Sequence, residues 1–200
     1  IDEMRELGLF GLALPEAYGG LGLTMEEEVL VAFELARASP AFRSMIGTNN
    51  GSGSQGIVID GTPEQKQRWL PRLASGESVC AFALTEPGSG SDAASITTSA
   101  RRDGDHYVLN GTKTWISNGG IADMYCVFAR TSPGQKRADG TVGARGISAF
   151  LVEPSDPGFS VEGRIDVIAP HPLGTLRFEN CRVPVNRRIG EEGEGFKIAM

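Results

Sequence analysis

Histidine and cysteine are scarce in this sequence, which leaves little from which a metal or disulfide site could be built. The only two histidines, His106 and His171, have no metal-ligand spacing. The three cysteines, Cys80, Cys126 and Cys181, are odd in number, far apart and without a CxxC pair, which argues against a disulfide framework or a zinc site. We therefore assign no metal, and free cysteines favour a reducing compartment, the bacterial cytoplasm or the mitochondrial matrix.

Positive charge and long apolar runs are also scarce. Lys and Arg number 19 against 25 Asp and Glu, a net charge of -6, so no basic field is available to attract a nucleic acid. No apolar stretch approaches the length of a membrane span, and residues 1–5 lack the basic-then-apolar plan of a signal peptide. The composition, 40% hydrophobic and 22% charged, predicts a globular protein of one or two domains. We expect that the protein is not secreted.

Helix signals are concentrated in the first eighty residues. Residues 24–27, TMEE, form a capping box before apolar residues at helical positions, which predicts a helix to about Arg37. Residues 62–65, TPEQ, are a second helix start with Pro at the first helical position, and Gly76 is the expected stop. Between the two helices, residues 49–54 predict a loop, because Gly, Asn and Ser disfavour helix.

From residue 79 onward, short β-rich segments are separated by turn residues, which predicts an antiparallel sheet. The dipeptides Asp103-Gly104 and Asn110-Gly111 predict tight turns, and the polar stretch 132–143 predicts an exposed loop. Residues 193–200, GEGFKIAM, resemble the opening of a helix. The predicted strands are 79–84, 96–101, 106–109, 125–130, 147–152 and 176–178.

Residues 88–93, GSGSDA, satisfy the bare dinucleotide-binding pattern GxGxxG/A. A nicotinamide site would need a helix after the glycines and a βαβ unit, whereas residues 95–99 are β-rich and no such alternation is present. Two glycines and the hydroxyls of Thr85, Ser89 and Ser91 instead offer open backbone amides, suited to a phosphate or a heteroaromatic edge. An ordinary polar turn is the alternative interpretation of this segment.

A family resemblance gives this segment a more specific interpretation. Residues 83–95, ALTEPGSGSDAAS, fit the signature of the acyl-CoA dehydrogenases position by position. Further family landmarks follow in the family's order at 6–9, 15–22, 61–66, 110–120 (NGTKTWISNGG) and 193–196. The chain thus resembles an FAD-dependent acyl-CoA dehydrogenase over nearly its whole length.

The resemblance implies an α+β multidomain fold. Residues 1–78 would belong to a helical N-terminal domain, residues 79–188 to a middle, antiparallel β-barrel-like domain that binds flavin, and residues 189–200 to the start of a C-terminal helical bundle. It also implies that residues 40–60 are largely helical, against the loop predicted from local sequence.

Two flavin-contacting segments follow from the same resemblance. Backbone amides and the Thr85 hydroxyl would reach the flavin ring, with Ser91 near the pyrophosphate. The Trp115 indole can form a flat wall on one ring face, and Ser117 can hydrogen-bond flavin N5. The implied FAD-binding residues are Phe82, Ala83, Leu84, Thr85, Gly90, Ser91, Trp115, Ile116 and Ser117. The implied substrate-binding residues, where the family contacts the CoA moiety, are Ser91, Thr131 and Ser132.

No catalytic residue is assigned within the chain. Glu86 and Asp92 look like a paired-carboxylate site, but in the family these positions hold the loop, and the base that removes the α-proton is expected after Met200. The chain departs from the family where relatives carry Gly-x-Arg-x-Ser, because residues 167–174 read VIAPHPLG. The missing arginine puts the usual contact of that loop in doubt and suggests a divergent branch with an unusual acyl group.

The implied function is FAD-dependent α,β-dehydrogenation of an acyl-CoA thioester in fatty acid metabolism, with electrons passed to an electron-transfer flavoprotein. The family is commonly tetrameric, so a homo-oligomer is expected. An acyl-CoA oxidase or a flavin monooxygenase of the same superfamily is one alternative. A non-catalytic acyl-CoA- or flavin-binding module is the other.

Overall fold

Helices occupy the first part of the chain, up to Ala74, and strands follow from Cys80. The structure is a computed structural model, and it describes residues 1–135, 138, 143–168 and 171–200. The helices are α1 (Asp2–Glu6), α2 (Met25–Ala38), α3 (Pro40–Asn50), α4 (Ser52–Asp60), α5 (Pro63–Ala74) and, after the sheet, α6 (Gly195–Ala199).

Both predicted helix starts are confirmed, each by a complete capping box. At α2, the Thr24 hydroxyl accepts from the Glu27 amide, and the Glu27 carboxylate accepts from the Thr24 amide at 2.8 Å. Thr62 and Gln65 make the same pair of bonds at α5. None of the residues of α2 is buried, and the large apolar side chains exposed along it are Met25, Val29, Leu30 and Phe33.

Residues 49–54 are helical except at Gly51, so the loop predicted there from local sequence is wrong. The helical content that the family resemblance implies for residues 40–60 is confirmed by α3 and α4. Local propensity failed because Asn49 and Asn50 are buried and their side chains bind distant backbone groups. The Asn49 side chain therefore does not compete for the backbone of its own helix, and the Asn50 side chain adds a bond to the Ile46 carbonyl of α3 at 3.1 Å without interrupting the helix.

Asn49 ties three elements together. Its side-chain amide donates to the carbonyl of Leu73 at 3.2 Å and to that of Ser78 at 3.0 Å, and its side-chain oxygen accepts from the Cys80 amide at 2.8 Å. The end of α5 and the start of the first strand are thereby fixed to α3. Since Asn49 is 0% exposed, these bonds replace water for every group involved.

The strands form one mixed sheet. The strands are β1 (Cys80–Ala83), β2 (Ser99–Asp103), β3 (His106–Ser117), β4 (Met124–Arg130), β5 (Ile147–Val152), β6 (Phe159–Arg164), β7 (Leu173–Pro184) and β8 (Arg188–Ile189). Their order is β6-β7-β3-β2-β4-β5-β8, with β1 paired to β4 beside this path. The predicted helical-then-β fold class is confirmed, but the β1–β4 and β2–β4 pairs are parallel, so the sheet is not wholly antiparallel.

The sheet is buried on two faces, which explains the continuous apolar run of β4. Alternate side chains of a strand point to opposite faces. Cys126 and Phe128 join the cluster that packs against α4 and α5, whereas Tyr125 and Val127 join a second cluster on the other face. The helices and one face of the sheet thus share one core, and side chains from the strands form the second core on the other face.

The long pairing of β3 with β7 corrects one turn prediction. Asp103-Gly104 does turn between β2 and β3, with Gly104 at φ +61°. Asn110-Gly111 does not: β3 continues to Ser117, and the register with β7 shifts between Leu109 and Gly111. Gly111 has φ +153°, and a Cβ there would lie 2.8 Å from the Thr98 Cα, so the glycine serves a bulge rather than a turn.

Some predictions concern residues only partly described. In the predicted loop 132–143, residues 136, 137 and 139–142 lie outside the described residues, while Ser132, Pro133, Gln135 and Ala138 are exposed. Of residues 167–174, where the family's arginine is missing, residues 169 and 170 also lie outside them. Across the described helices, none combines the length and the apolar character that crossing a membrane requires.

Candidate functional site

The segment that follows β1 is a closed, rigid turn with an open outer surface. The amide of Glu86 donates to the carbonyl of Ser89 at 3.0 Å, and the Ser89 amide donates back at 3.1 Å. Gly90 and Ser91 are exposed beyond this turn. A Cβ added at Gly88 or at Gly90 would meet no atom within 4 Å, so the glycines leave free space that another molecule can fill.

A buried ion pair connects this turn to β3. The Lys113 ammonium donates to the Glu86 carboxylate at 2.9 Å and to the Leu84 carbonyl at 2.8 Å, and its side chain is 0% exposed. Burial raises the pKa of Glu86, but the attraction of Lys113 and the donors on the carboxylate outweigh burial and lower it to about 2. Burial lowers the pKa of Lys113 to about 8 against the opposing attraction of Glu86.

Trp115 stands out from β3 on a bulge. The register between β3 and β7 shifts between Lys113 and Ile116, and Trp115 has φ +59°, a left-handed conformation that is costly for a bulky residue. The bulge leaves the indole 57% exposed, whereas Ile116 is buried. Because the Thr114 amide donates to the Thr85 carbonyl at 3.0 Å, Trp115 lies one residue from a direct contact with the other segment.

The structure thus brings together the two segments that the resemblance implies as flavin contacts. Thr85 and Ser117 are half-buried at the junction, and the Phe82 ring is half-buried against Phe128, with 4.9 Å between ring centroids. The side chains of Ala83 and Ile116 are buried in the core, so only their backbone groups could serve a ligand.

The structure gives less support for the implied substrate-contact residues Ser91, Thr131 and Ser132 than for the flavin segments. The Thr131 hydroxyl is already within 2.8 Å of the Ser148 hydroxyl and donates to the Gly146 carbonyl at 3.3 Å, and Ser132 is exposed. Among the described residues, no hydrogen bond joins the Thr131 side chain to Ser91. The roles of these residues in binding stay predictions.

Arg130 was missed by sequence reasoning. Its guanidinium donates to the carbonyls of Ala94, Ile96, Gly143 and Arg145, with 2.8 Å to that of Ile96. Arg130 therefore holds Ala94 and Ile96, which follow the turn, against the end of β4, next to Thr131. A charged residue at the end of an otherwise apolar strand was the available signal.

Asn118 is a second residue that the sequence did not single out. It has φ +62°, and its side-chain amide donates to the carbonyls of Met45, at 3.1 Å, and Cys80, at 2.9 Å. Its backbone amide donates to the Pro172 carbonyl at 2.8 Å. The residue after Ser117 is thereby fixed to α3, to β1 and to the segment before β7.

His106 and the three cysteines lie outside the two segments that the resemblance implies as flavin contacts. His106 pairs with Asp105 at the β2–β3 turn. Cys80, Cys126 and Cys181 are buried and free, and burial raises the pKa of each thiol, to about 12 for Cys126. Within the described ranges, no three His, Cys, Asp or Glu side chains are grouped as a metal ion would require.

Comparison with known proteins agrees with this arrangement of segments. Residues 1–77 match the model of the acyl-CoA dehydrogenase N-terminal domain, and residues 81–181 match that of the acyl-CoA dehydrogenase middle domain. An acyl-CoA dehydrogenase of Bacillus subtilis (strain 168) is 42% identical over 100% of this chain and 52% of its own length. The chain spans about half the length of the curated relatives it matches, and these include bacterial and mitochondrial proteins.

Solved structures share the fold. The structure of the electron transferring flavoprotein of Acidaminococcus fermentans contains a chain that is 40% identical to this one, with a TM-score of 0.90 over 99% of this chain and 51% of that chain. An acyl-CoA dehydrogenase of Bacillus anthracis complexed with FAD is 42% identical, with a TM-score of 0.86 over 98% of this chain and 32% of that chain. From the two domain matches, which cover residues 1–77 and 81–181, the chain belongs to the acyl-CoA dehydrogenase family.

Proposed function

We propose that the protein is an FAD-dependent dehydrogenase of acyl-CoA thioesters, and that FAD binds between residues 82–91 and 115–117. The observation that carries this proposal is the exposed Trp115, held on a costly bulge beside the open turn. An apolar side chain this large, exposed at a backbone cost, is typical of a ligand-binding surface. The resemblance to an acyl-CoA dehydrogenase complexed with FAD identifies the class of ligand.

The residues of the two segments fit a flavin. The indole of Trp115 offers a flat apolar wall for one face of an aromatic ring system. The Thr85 and Ser117 hydroxyls, both half-buried, can donate to ring heteroatoms, and the exposed backbone at Gly90 and Ser91 leaves room for a pyrophosphate. When bound, FAD supplies the redox chemistry by accepting a hydride, while the protein orients the reactants and excludes water.

Substrate and electron acceptor complete the proposal. Ser91, Thr131 and Ser132 would contact the CoA moiety, and the base that removes the α-proton would come from outside residues 1–200. We assign residues 1–78, 79–188 and 189–200 to three domains of a homo-oligomer, expected to be a tetramer. An electron-transfer flavoprotein is the proposed acceptor, which the likeness to a chain in such a structure supports.

Anaerobic spectroscopy of the full-length protein tests this function. We expect a flavin absorbance band that bleaches on addition of an acyl-CoA from a panel of chain lengths and branches, with recovery on adding an electron-transfer flavoprotein. Rapid recovery with oxygen alone would indicate the oxidase alternative. A protein that neither carries flavin nor takes up added FAD would refute the proposal.

The two tryptophans provide a matched pair of variants. Trp115→Phe should change the flavin spectrum and weaken FAD binding, because it shrinks the proposed wall. Trp69→Phe makes the same chemical change in α5, where the side chain is 2% exposed in the core beneath the sheet. Equal effects of the two variants on the flavin would contradict the assignment of Trp115.

A further inference from the structure

The two proposed flavin segments, residues 82–91 and 115–117, are joined through a side chain that lies just outside the second. Lys113 lies in β3 two residues before Trp115, and its ammonium reaches the Leu84 carbonyl and the Glu86 carboxylate at 2.8 and 2.9 Å. Glu86 begins the turn that precedes Gly90 and Ser91, and Leu84 lies two residues before it. The buried Lys113 side chain thus adds two bonds to the backbone bond from Thr114 to Thr85 that also joins the two segments.

A third segment, just before β2, also binds the Glu86 carboxylate. Its carboxylate accepts from the Thr97 amide at 2.7 Å, from the Thr97 hydroxyl at 2.8 Å and from the Thr98 amide at 2.9 Å. The Glu86 residue is 5% exposed, so its carboxylate cannot reorient toward water at low cost. The position of Lys113 is therefore defined relative to the whole turn and to the start of β2.

The Lys113 contact lies at the edge of an irregularity in the pairing of β3 with β7. The β3–β7 register holds at Lys113, opposite Leu176, and resumes at Ile116, opposite Gly174. Trp115 lies in the unpaired interval between them. The placement of Trp115 relative to the turn therefore depends on how Lys113 is held on one side of the bulge.

A buried ion pair can hold the turn and β3 in one arrangement better than apolar packing can. Buried ion pairs contribute little net stability compared with apolar residues of the same volume, but their bonds are directional and fix one arrangement. Apolar contacts in the core tolerate small shifts of one segment against another more readily.

We propose that Lys113 and Glu86 are positioning residues, which set the placement of Trp115 and Ser117 over residues 84–91 and so determine how tightly the flavin is held. The inference rests on the proposed function. Neither side chain touches the flavin, because both are buried beneath the surface that the flavin would contact.

Glu86→Gln in the full-length holoenzyme tests the inference. The substitution keeps the shape of the side chain and removes the charge that Lys113 contacts. We expect the dissociation constant of FAD to rise on the order of tenfold, as for other residues that orient a binding group, and the visible band shape of the flavin to change. An FAD affinity and spectrum indistinguishable from those of the wild type would overturn the inference.

Asp156→Asn is the matched control. Asp156 pairs with Arg187 at 2.8 Å and is 7% exposed, but its other bond goes to the Glu153 amide, outside the proposed site. It should lower thermal stability without changing FAD affinity. If it weakens FAD binding as much as Glu86→Gln does, the effect is general destabilisation and the inference fails.

A milder variant covers the case in which Glu86→Gln does not fold. Thr97→Val removes only the exposed hydroxyl that donates to Glu86 and should weaken FAD binding in the same direction by a smaller factor. An unchanged affinity would overturn the inference. A wild-type protein without flavin would refute the proposed function, whereas flavin that is equally tight in wild type and variants would refute only the positioning role.

Discussion

Replacing Asn49 with Asp should destabilise the junction of helices and sheet in a pH-dependent way. The side-chain amide of Asn49 donates to the carbonyls of Leu73 and Ser78. Asn49→Asp replaces that donor with an oxygen, so the Ser78 carbonyl and the new carboxylate oxygen are left without a donor, whereas the Leu73 carbonyl keeps the Gly76 amide at 3.2 Å. At about 1–3 kcal/mol for each unsatisfied group, the expected loss at neutral pH is about 4 kcal/mol.

The loss should shrink as the pH falls. Burial and the two facing carbonyls raise the pKa of the new carboxyl in the folded protein above its unfolded value. The folded protein therefore binds the proton more tightly, and stability recovers toward low pH by up to about 1.4 kcal/mol per pH unit. The protonated group can donate to one of the two carbonyls, so recovery is partial.

Hydrogen exchange of the full-length protein measures the effect locally. A loss of about 4 kcal/mol corresponds to about a thousandfold faster exchange of amides in Cys80–Ala83, compared with the wild type at the same pH. The ratio should fall from about pH 7 to about pH 5. Asn186→Asp, the same change on an exposed side chain, should leave exchange unaltered. A ratio independent of pH would refute the reasoning.

Three further predictions concern two buried residues, Glu86 and Phe150, and the bulge at Gly111. The pKa of Glu86 is about 2 in the folded protein against 4.5 for the free group. Its ionisation therefore contributes about 3 kcal/mol to the free energy of unfolding, which is fully present above about pH 4.5 and is lost toward about pH 2. Acid unfolding of Glu86→Gln, followed by circular dichroism, should depend less on pH than that of the wild type. Gly111→Ala should lower stability by about 1–3 kcal/mol in urea unfolding, because the new Cβ crowds Thr98 at a positive φ. Phe150→Ala should cost about 3–5 kcal/mol in the same assay, since the ring is 0% exposed.

Helix starts and the family were predictable from sequence because their signals are local. The capping boxes at Thr24 and Thr62 involve residues three apart, so the sequence contains the whole interaction. The signature at residues 83–95 is also continuous. By contrast, residues 49–54 looked like a loop, because the groups that bind the Asn49 side chain lie far along the chain.

The site was predictable in its parts but not in its assembly. Trp115 could be named from the resemblance, yet its bulge depends on a register shift against β7 that no local pattern reveals. The sequence assigns Glu86 a role in holding the loop only through the resemblance, and its partner Lys113 could not be derived from spacing. The parallel pairing of β1 with β4 is equally non-local, since turn residues identify hairpins only.

The long register between β3 and β7 also has a consequence for biosynthesis. His106 pairs with Pro184 and Ser117 with Leu173, so the middle of the sheet closes only after all of β4, β5 and β6 have been translated. Until then, the apolar face of β3, with Tyr107 and Leu109, has no strand beside it on that edge. Sheets with such distant partners form slowly, and unpaired edges invite association between nascent chains. Ribosome-associated chaperones should therefore raise the yield of native protein more during synthesis than during refolding of the finished chain.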